Sequence, residues 1–199
     1  MAAVIGNSAA LNAVVSSSTA MAAVAASYVA VAAVYGSAVA VDAVKANETA
    51  WATLTGATSA VMGKAVAVLS GLNPDSYADM TAVASSSTAM AAIAASSTAR
   101  TAITNSATAK NALASSPLKT TVTKGNGNGW ENRTIRNGMG YLISCYNANS
   151  GGEAGSTWYK LDGAQTSQPA GTTNVGKFFT SSLAIYWWSS TSSVTYIPC

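Results

Sequence analysis

A ten-residue unit repeats along the chain and constrains the fold more than any other feature. Ser86–Ala95 (SSTAMAAIAA), Ser96–Asn105 (SSTARTAITN) and Ser106–Ser115 (SATAKNALAS) are three consecutive copies. Each carries two anchors three residues apart: Met90 with Ile93, Arg100 with Ile103, Lys110 with Leu113. The register continues upstream through Met80 with Val83. One residue out of step, it resumes as Trp51 with Leu54, Val41 with Val44, Val31 with Val34, Met21 with Val24, Leu11 with Val14 and Met1 with Val4. An array of similar units buries its apolar face against neighbouring copies and grows in one dimension. Residues 1–116 are therefore expected to form one repetitive, rod-like body.

Ser, Asn or Thr recurs just before each Ala-rich run, as at Asn7-Ser8, Ser17-Ser18-Thr19 and Asn47-Glu48-Thr49, which is the pattern of helix N-caps. Ala has the highest helix propensity, and a three-residue step puts both anchors on one face of a turn. One continuous helix could not keep a single seam and would have to be buried on all sides by partners, because ten residues at about 100° each leave the stripe about 80° behind in every repeat. The expected solution is a short helix per unit, broken at the Ser-Ser-Thr. A β-solenoid is the alternative, which Ala and Met disfavour. Between residues 63 and 79 the rhythm falters at Gly63, Gly71 and Asn73-Pro74-Asp75, which predicts a kink and offers too few acidic oxygens for calcium.

Beyond Ser115 the composition changes. Pro117 ends the last helical unit, Lys119–Thr123 alternates like a strand, and Lys124-Gly-Asn-Gly-Asn-Gly129 is glycine-rich, so 117–129 is expected to be a linker. Residues 130–199 hold most of the aromatics, with apolar runs at Gly140–Tyr146, Val175–Phe179, Leu183–Trp188 and Val194–Ile197 separated by Gly, Asn, Ser and Thr. These predict short strands in a small all-β head. The fold class is thus α+β: a helical repeat shaft and a β-rich C-terminal domain.

Charged residues make up 9% of the chain, against roughly a quarter in an average soluble domain. Low charge with small side chains suits surfaces that pack on further copies, since every buried charge needs a partner. The ten basic residues lie singly, with no stripe to follow phosphates, so no nucleic-acid partner is expected. There is no His, which removes the commonest general base and metal ligand, and neither metal nor cofactor is expected. Residues 21–41 are uncharged and long enough to span a bilayer, but Ala is their commonest residue and the repeat runs on through Asp42 and Lys45, so no membrane span or signal peptide is expected.

Candidate sites lie after residue 129. In the run Tyr186-Trp187-Trp188, strand alternation puts Tyr186 and Trp188 on one face and Trp187 on the other, so at least one face is buried and the rest is a candidate receptor-binding surface. Glu131, Glu153 and Asp162 are carboxylates without catalytic spacing, and a serine triad is impossible without His. No enzymatic activity is expected. Cys145 and Cys199 permit one disulfide, links between chains, or two free thiols. Asn132-Arg-Thr134 and Asn47-Glu-Thr49 fit the N-glycosylation pattern.

The SSTAM-x-A-[VI] unit, present as Ser17–Val24 and Ser86–Ile93, resembles the Ala/Ser-rich repeats of tail fibre and whisker proteins of large tailed bacteriophages. The resemblance covers about residues 1–116 and supplies no catalytic residue. It implies a homotrimeric, extracellular virion fibre that binds other virion proteins and a host-surface glycan or protein. A cellular surface fibril or adhesin would share this layout. The anchor register makes a prediction: Met90→Asp or Ile93→Asp lowers the melting temperature strongly, whereas Arg100→Asp or Lys110→Asp is much milder, because only the former bury an unpaired charge. Equal losses at all four would show the register to be wrong.

Overall fold

The computed structural model describes residues 1–149 and 157–199, which divide into two compact units, Met1–Leu113 and Ala114–Cys199. The chain is α+β. The first unit is helical: α1 (Ala2–Ile5), α2 (Ser8–Ser16), α3 (Ser18–Ala25), α4 (Tyr28–Tyr35), α5 (Ala38–Lys45), α6 (Glu48–Thr55), α7 (Ser59–Leu69), α8 (Met80–Ala84), α9 (Ser87–Ala95), α10 (Ser97–Asn105) and α11 (Ala107–Ala114). No repeat forms a β-coil, in keeping with the helix propensity of its alanines.

One polar residue builds each corner. Ser17 has extended backbone (φ −102°, ψ 112°), which stops α2; its N–H reaches back to the Val14 carbonyl at 3.1 Å, and its hydroxyl accepts from Ala20 N at 3.2 Å to start α3. Asn7, Ser27, Ser37, Asn47, Ser86, Ser96 and Ser106 repeat this cap. The chain bends by 94° between α2 and α3 and by 100° between α4 and α5. Every corner resets the helical phase, so the 80° drift never accumulates.

Helices then stack on the third one along: α2 on α5, α3 on α6, α4 on α7 and α7 on α10. Helices of eight or nine residues are marginal alone, so this packing supplies their stability. Inside lie the anchors Met21, Val24, Val31, Val34, Val41, Val44, Leu54, Met80, Val83, Met90, Ile93, Ile103 and Leu113. The charged Arg100 and Lys110 are half-buried, and so is Trp51, whose ring meets Tyr35 edge-on at 6.5 Å with the Lys45 ammonium 5.0 Å from its centroid. A third inward position is the Ala before the first anchor: Ala30, Ala40, Ala50, Ala89, Ala99 and Ala109 are all buried.

The rhythm breaks over residues 70–79, where Asn73 starts a single 3-10 turn (Pro74–Ser76) and Asp79 caps α8 by accepting from Ala82 N at 2.9 Å. Lys64 pairs with Asp75 at 3.1 Å across this excursion. Gly63 in α7 allows the return: a Cβ there would lie 2.3 Å from the Asp79 carbonyl carbon and 2.7 Å from Met80 N, both backbone atoms.

The second unit is a β-sandwich of β1 (Thr120–Thr123), β2 (Glu131–Asn137), β3 (Gly140–Asn147), β4 (Trp158–Leu161), β5 (Ala164–Ser167), β6 (Gly171–Phe179), β7 (Ser182–Trp187) and β8 (Ser193–Pro198). Strand β1 pairs with β8, β2 with β7, β3 with β6 and β4 with β5, all antiparallel. This is one long hairpin rolled up, its pairs falling alternately into the sheets β1-β8-β3-β6 and β2-β7-β4-β5. The topology is that of a jelly roll. Leu142, Cys145, Phe179, Val194 and Tyr196 of one sheet share a core with Tyr159, Leu183, Ile185 and Trp187 of the other. Much of the stretch expected as a linker, 117–129, is built into this unit: it contains β1, and Lys124 N and Gly125 N donate to the Ser192 and Ser190 carbonyls at 2.9 and 3.0 Å.

Gly63 yields a test. Alanine for glycine inside a helix ordinarily stabilises by up to about 1 kcal/mol, but here the methyl group meets backbone that cannot rotate away. Gly63→Ala is expected to destabilise by about 2 kcal/mol in urea unfolding, the range for overpacking. A stabilised variant would show that the α7 to Asp79 approach is looser than described.

Candidate functional site

Alternation along β7 sorts the aromatic run. Leu183, Ile185 and Trp187 point into the sandwich and are wholly buried, so Trp187 is core and cannot meet a receptor. Its indole N–H donates to Glu131 Oε2 at 3.3 Å. Tyr186 and Trp188 stand half-exposed on the outer face.

Strand pairing adds two rings that the linear sequence keeps apart. Trp158 on β4 is the register partner of Tyr186, and the rings stack at 5.2 Å and 19°. Trp130 lies just before β2, on the same face by alternation with Asn132, the partner of Tyr186. It stacks on the other side of Tyr186 at 4.7 Å and 6° and meets Trp188 edge-on at 5.4 Å and 63°. The Lys160 ammonium sits 4.6 Å from the Trp158 centroid. Across the outer face of one sheet therefore runs a strip, Lys160–Trp158–Tyr186–Trp130–Trp188, all half-exposed.

The strip adjoins the loop end of the sandwich. Gly129 N donates to the Trp188 carbonyl at 3.0 Å and Ser190 N to Asn128 Oδ1 at 3.1 Å, locking the 124–130 and 188–192 loops together. Left-handed φ angles of 71°, 40° and 73° at Gly125, Asn126 and Gly127 curl the first loop over Lys124, whose ammonium donates to the Gly127 carbonyl at 2.8 Å. Lys124 is buried and unavailable to a ligand.

Glu131 and Asp162 do not form a pair. Glu131 sits opposite Trp187 and Asp162 beside Ser182, five residues apart along β7, hence roughly 17 Å. A glycosidase pair needs about 5–9.5 Å. Glu153 lies outside the described residues. Asp162 with Gly163 (φ 52° and 85°) makes the two-residue turn joining β4 to β5. Its carboxylate accepts from the backbone N–H of Thr180, Ser181 and Ser182 and from both neighbouring hydroxyls, pinning the β6–β7 turn. Partial burial raises its pKa, but the Ser181, Thr180 and Ser182 hydrogen bonds outweigh that and bring it to about 2.

The cysteines cannot pair within one chain. Cys199 N bonds the Met139 carbonyl, while Cys145 lies six residues further along β3, more than about 15 Å away, and a disulfide needs Cα atoms within about 7 Å. Burial pushes the Cys145 thiol up to about 12, and burial, opposed by the Arg136 guanidinium, takes Cys199 to about 11, so both stay protonated and unreactive at neutral pH. Among the described residues no three His, Cys, Asp or Glu gather as a metal site would require, and no single helix is long and apolar enough to cross a membrane. Asn132 is exposed, whereas the Asn47 amide is engaged as the α6 cap. Two hollows of about 200 and 230 Å³ lie among the helices; Ser, Thr and Ala make up most of the first lining, and Asp42 lines the second with Ser97, Thr98 and Thr101. Compared with known protein families and with curated proteins, the chain matches none.

The Asp162 cap predicts a pH signature. Its folded pKa lies below the ordinary aspartate value of about 3.9, so its stabilisation is full above that value and is lost as pH falls through about 2. Asp162→Asn should be less stable than the parent at pH 7, with the difference in denaturation midpoint closing between about pH 4.5 and 2. A pH-independent difference would mean that the charge is not what holds the turn.

Proposed function

We propose that the chain is a structural virion fibre, a tail fibre or whisker, whose jelly-roll unit is a head that attaches the particle to a host surface. The capped repeats form the shaft and the protein assembles as a homotrimer alongside other virion proteins, outside the cell and without enzymatic activity. The single observation that carries this reading is the half-exposed strip Trp158–Tyr186–Trp130–Trp188 on an outer sheet face. Recognition concentrates in a few large aromatic and cationic side chains, and such a cluster left partly in water is what an attachment surface needs. By analogy of fold alone, jelly rolls serve in capsids and lectins. The repeats add their resemblance to phage fibre repeats and a surface of Ala, Ser and Thr suited to packing against further copies. Three heads per fibre would turn weak single contacts into firm attachment.

The test replaces Tyr186 and Trp158 together by Ala, with Trp187→Phe as the core control. Sedimentation equilibrium is expected to give three copies for parent and variants. Adsorption of particles to host cells should fall about tenfold or more for the double variant, each lost anchor weakening the contact by more than about 1 kcal/mol, and stay near parental for Trp187→Phe. Unchanged adsorption by a correctly assembled double variant would reject attachment through this strip.

A further inference from the structure

We infer that the strip binds an acidic polysaccharide, one whose charge is carried on carboxylates, and that it does so through ring edges and Lys160 rather than by stacking sugars on ring faces. The inference rests on the attachment reading above and names its ligand. Ring separations of 5.2 and 4.7 Å match the spacing of neighbouring strands, about 4.8 Å, so the rings of Trp158, Tyr186 and Trp130 stand upright from the sheet and cover one another's faces. The other face of Trp158 is taken by the Lys160 ammonium, and Trp130 meets Trp188 edge-on. Both faces of Tyr186 and of Trp158 are thus occupied, which leaves a pyranose no open face in the middle of the row.

Solvent instead meets ring edges. An aromatic edge is the positive part of the ring quadrupole, and Trp and Tyr edges also carry N–H and O–H donors. A full positive charge from Lys160 stands at one end of the row. Such a surface favours acceptors and anions. Charge distribution agrees: Lys45, Lys64, Arg100 and Lys110 balance Asp42, Glu48, Asp75 and Asp79 in the first unit, so the net +3 of the chain resides wholly after residue 113. The two described acids of that second unit are already engaged, Glu131 by Trp187 and Asp162 by the β6–β7 turn. With a single ammonium on the strip, the match is to singly charged groups spaced along a chain, and the carboxylates of a uronic acid polymer are such groups.

The experiment uses the full chain and two probes, oligogalacturonate and the same oligosaccharide fully methyl-esterified, titrated calorimetrically at low and high salt. The acid form is expected to bind at least about tenfold more tightly, and the preference to shrink as salt screens it. Lys160→Gln should weaken the acid form about fivefold, the upper range for one exposed charge contact, and flatten the salt dependence. Lys177→Gln, an equal charge change on the other sheet, should leave binding unaltered. Equal binding of acid and ester would overturn the inference in favour of face stacking. Equal losses from Lys160→Gln and Lys177→Gln would overturn it in favour of diffuse charge, and binding of neither probe would overturn it outright. Each of these leaves the attachment reading standing if Tyr186 and Trp158 are still needed for adsorption; if they are not, that reading falls first.

Discussion

A single side chain to backbone hydrogen bond, repeated at every corner, underlies the helical unit. The cap residue ends one helix by adopting extended backbone and begins the next by accepting an N–H three residues on. Each such cap is worth about 1 kcal/mol, which is small beside the entropy of ordering ten residues. Its larger effect is geometric. By restarting the helix every ten residues it returns the anchor face towards the inside, so two or three inward positions in ten suffice to build a core. The remaining positions are free to be Ala, Ser or Thr, and the low charge of the chain follows from that economy of pattern.

How far the sequence disclosed this depends on whether the interaction is local. Caps and anchors lie within one repeat, so short helices and most buried anchors could be read directly, and the 80° drift favoured a break in each repeat. Gly63 could not be read this way. Its necessity comes from a backbone approach to Asp79, sixteen residues away, after an excursion that no periodicity describes. The buried alanines were equally hidden, because Ala is common on both faces of these helices and its burial shows only when a third helix is laid across it.

In the jelly roll the apolar strands β3, β6, β7 and β8 stood out in the sequence, while β2, β4 and β5 did not. Those three lie in the sheet with the exposed outer face, and β5 is exposed throughout, so they lack a continuous apolar run. The Asp162-Gly163 pair was the available signal for the β4–β5 hairpin. Parity along β7 required one member of Tyr186-Trp187-Trp188 to be inside, but only the pairing with β2 and β4 determines which, and the same pairing brings in Trp130 and Trp158. Non-local pairing of this kind leaves no mark on a local window of residues.

The two units therefore divide the physical work by what each can leave unsatisfied. The repeats close their own accounts: caps satisfy helix ends, anchors fill the interior, and charges cancel. The jelly roll buries Trp187 in its core and saturates the exposed Asp162 carboxylate with donors. Its outer face differs, because rings large enough to be core there are held in water by the upright stack they form with one another. A cross-strand stack of that kind stabilises the sheet by a few tenths to about 1 kcal/mol per pair, and smaller β-branched residues would give the same stability without leaving aromatic edges in water. Stability alone thus does not account for three tryptophans, a tyrosine and a lysine in one row, and the proposed attachment role is a reading that gives such a row a reason to stay in water.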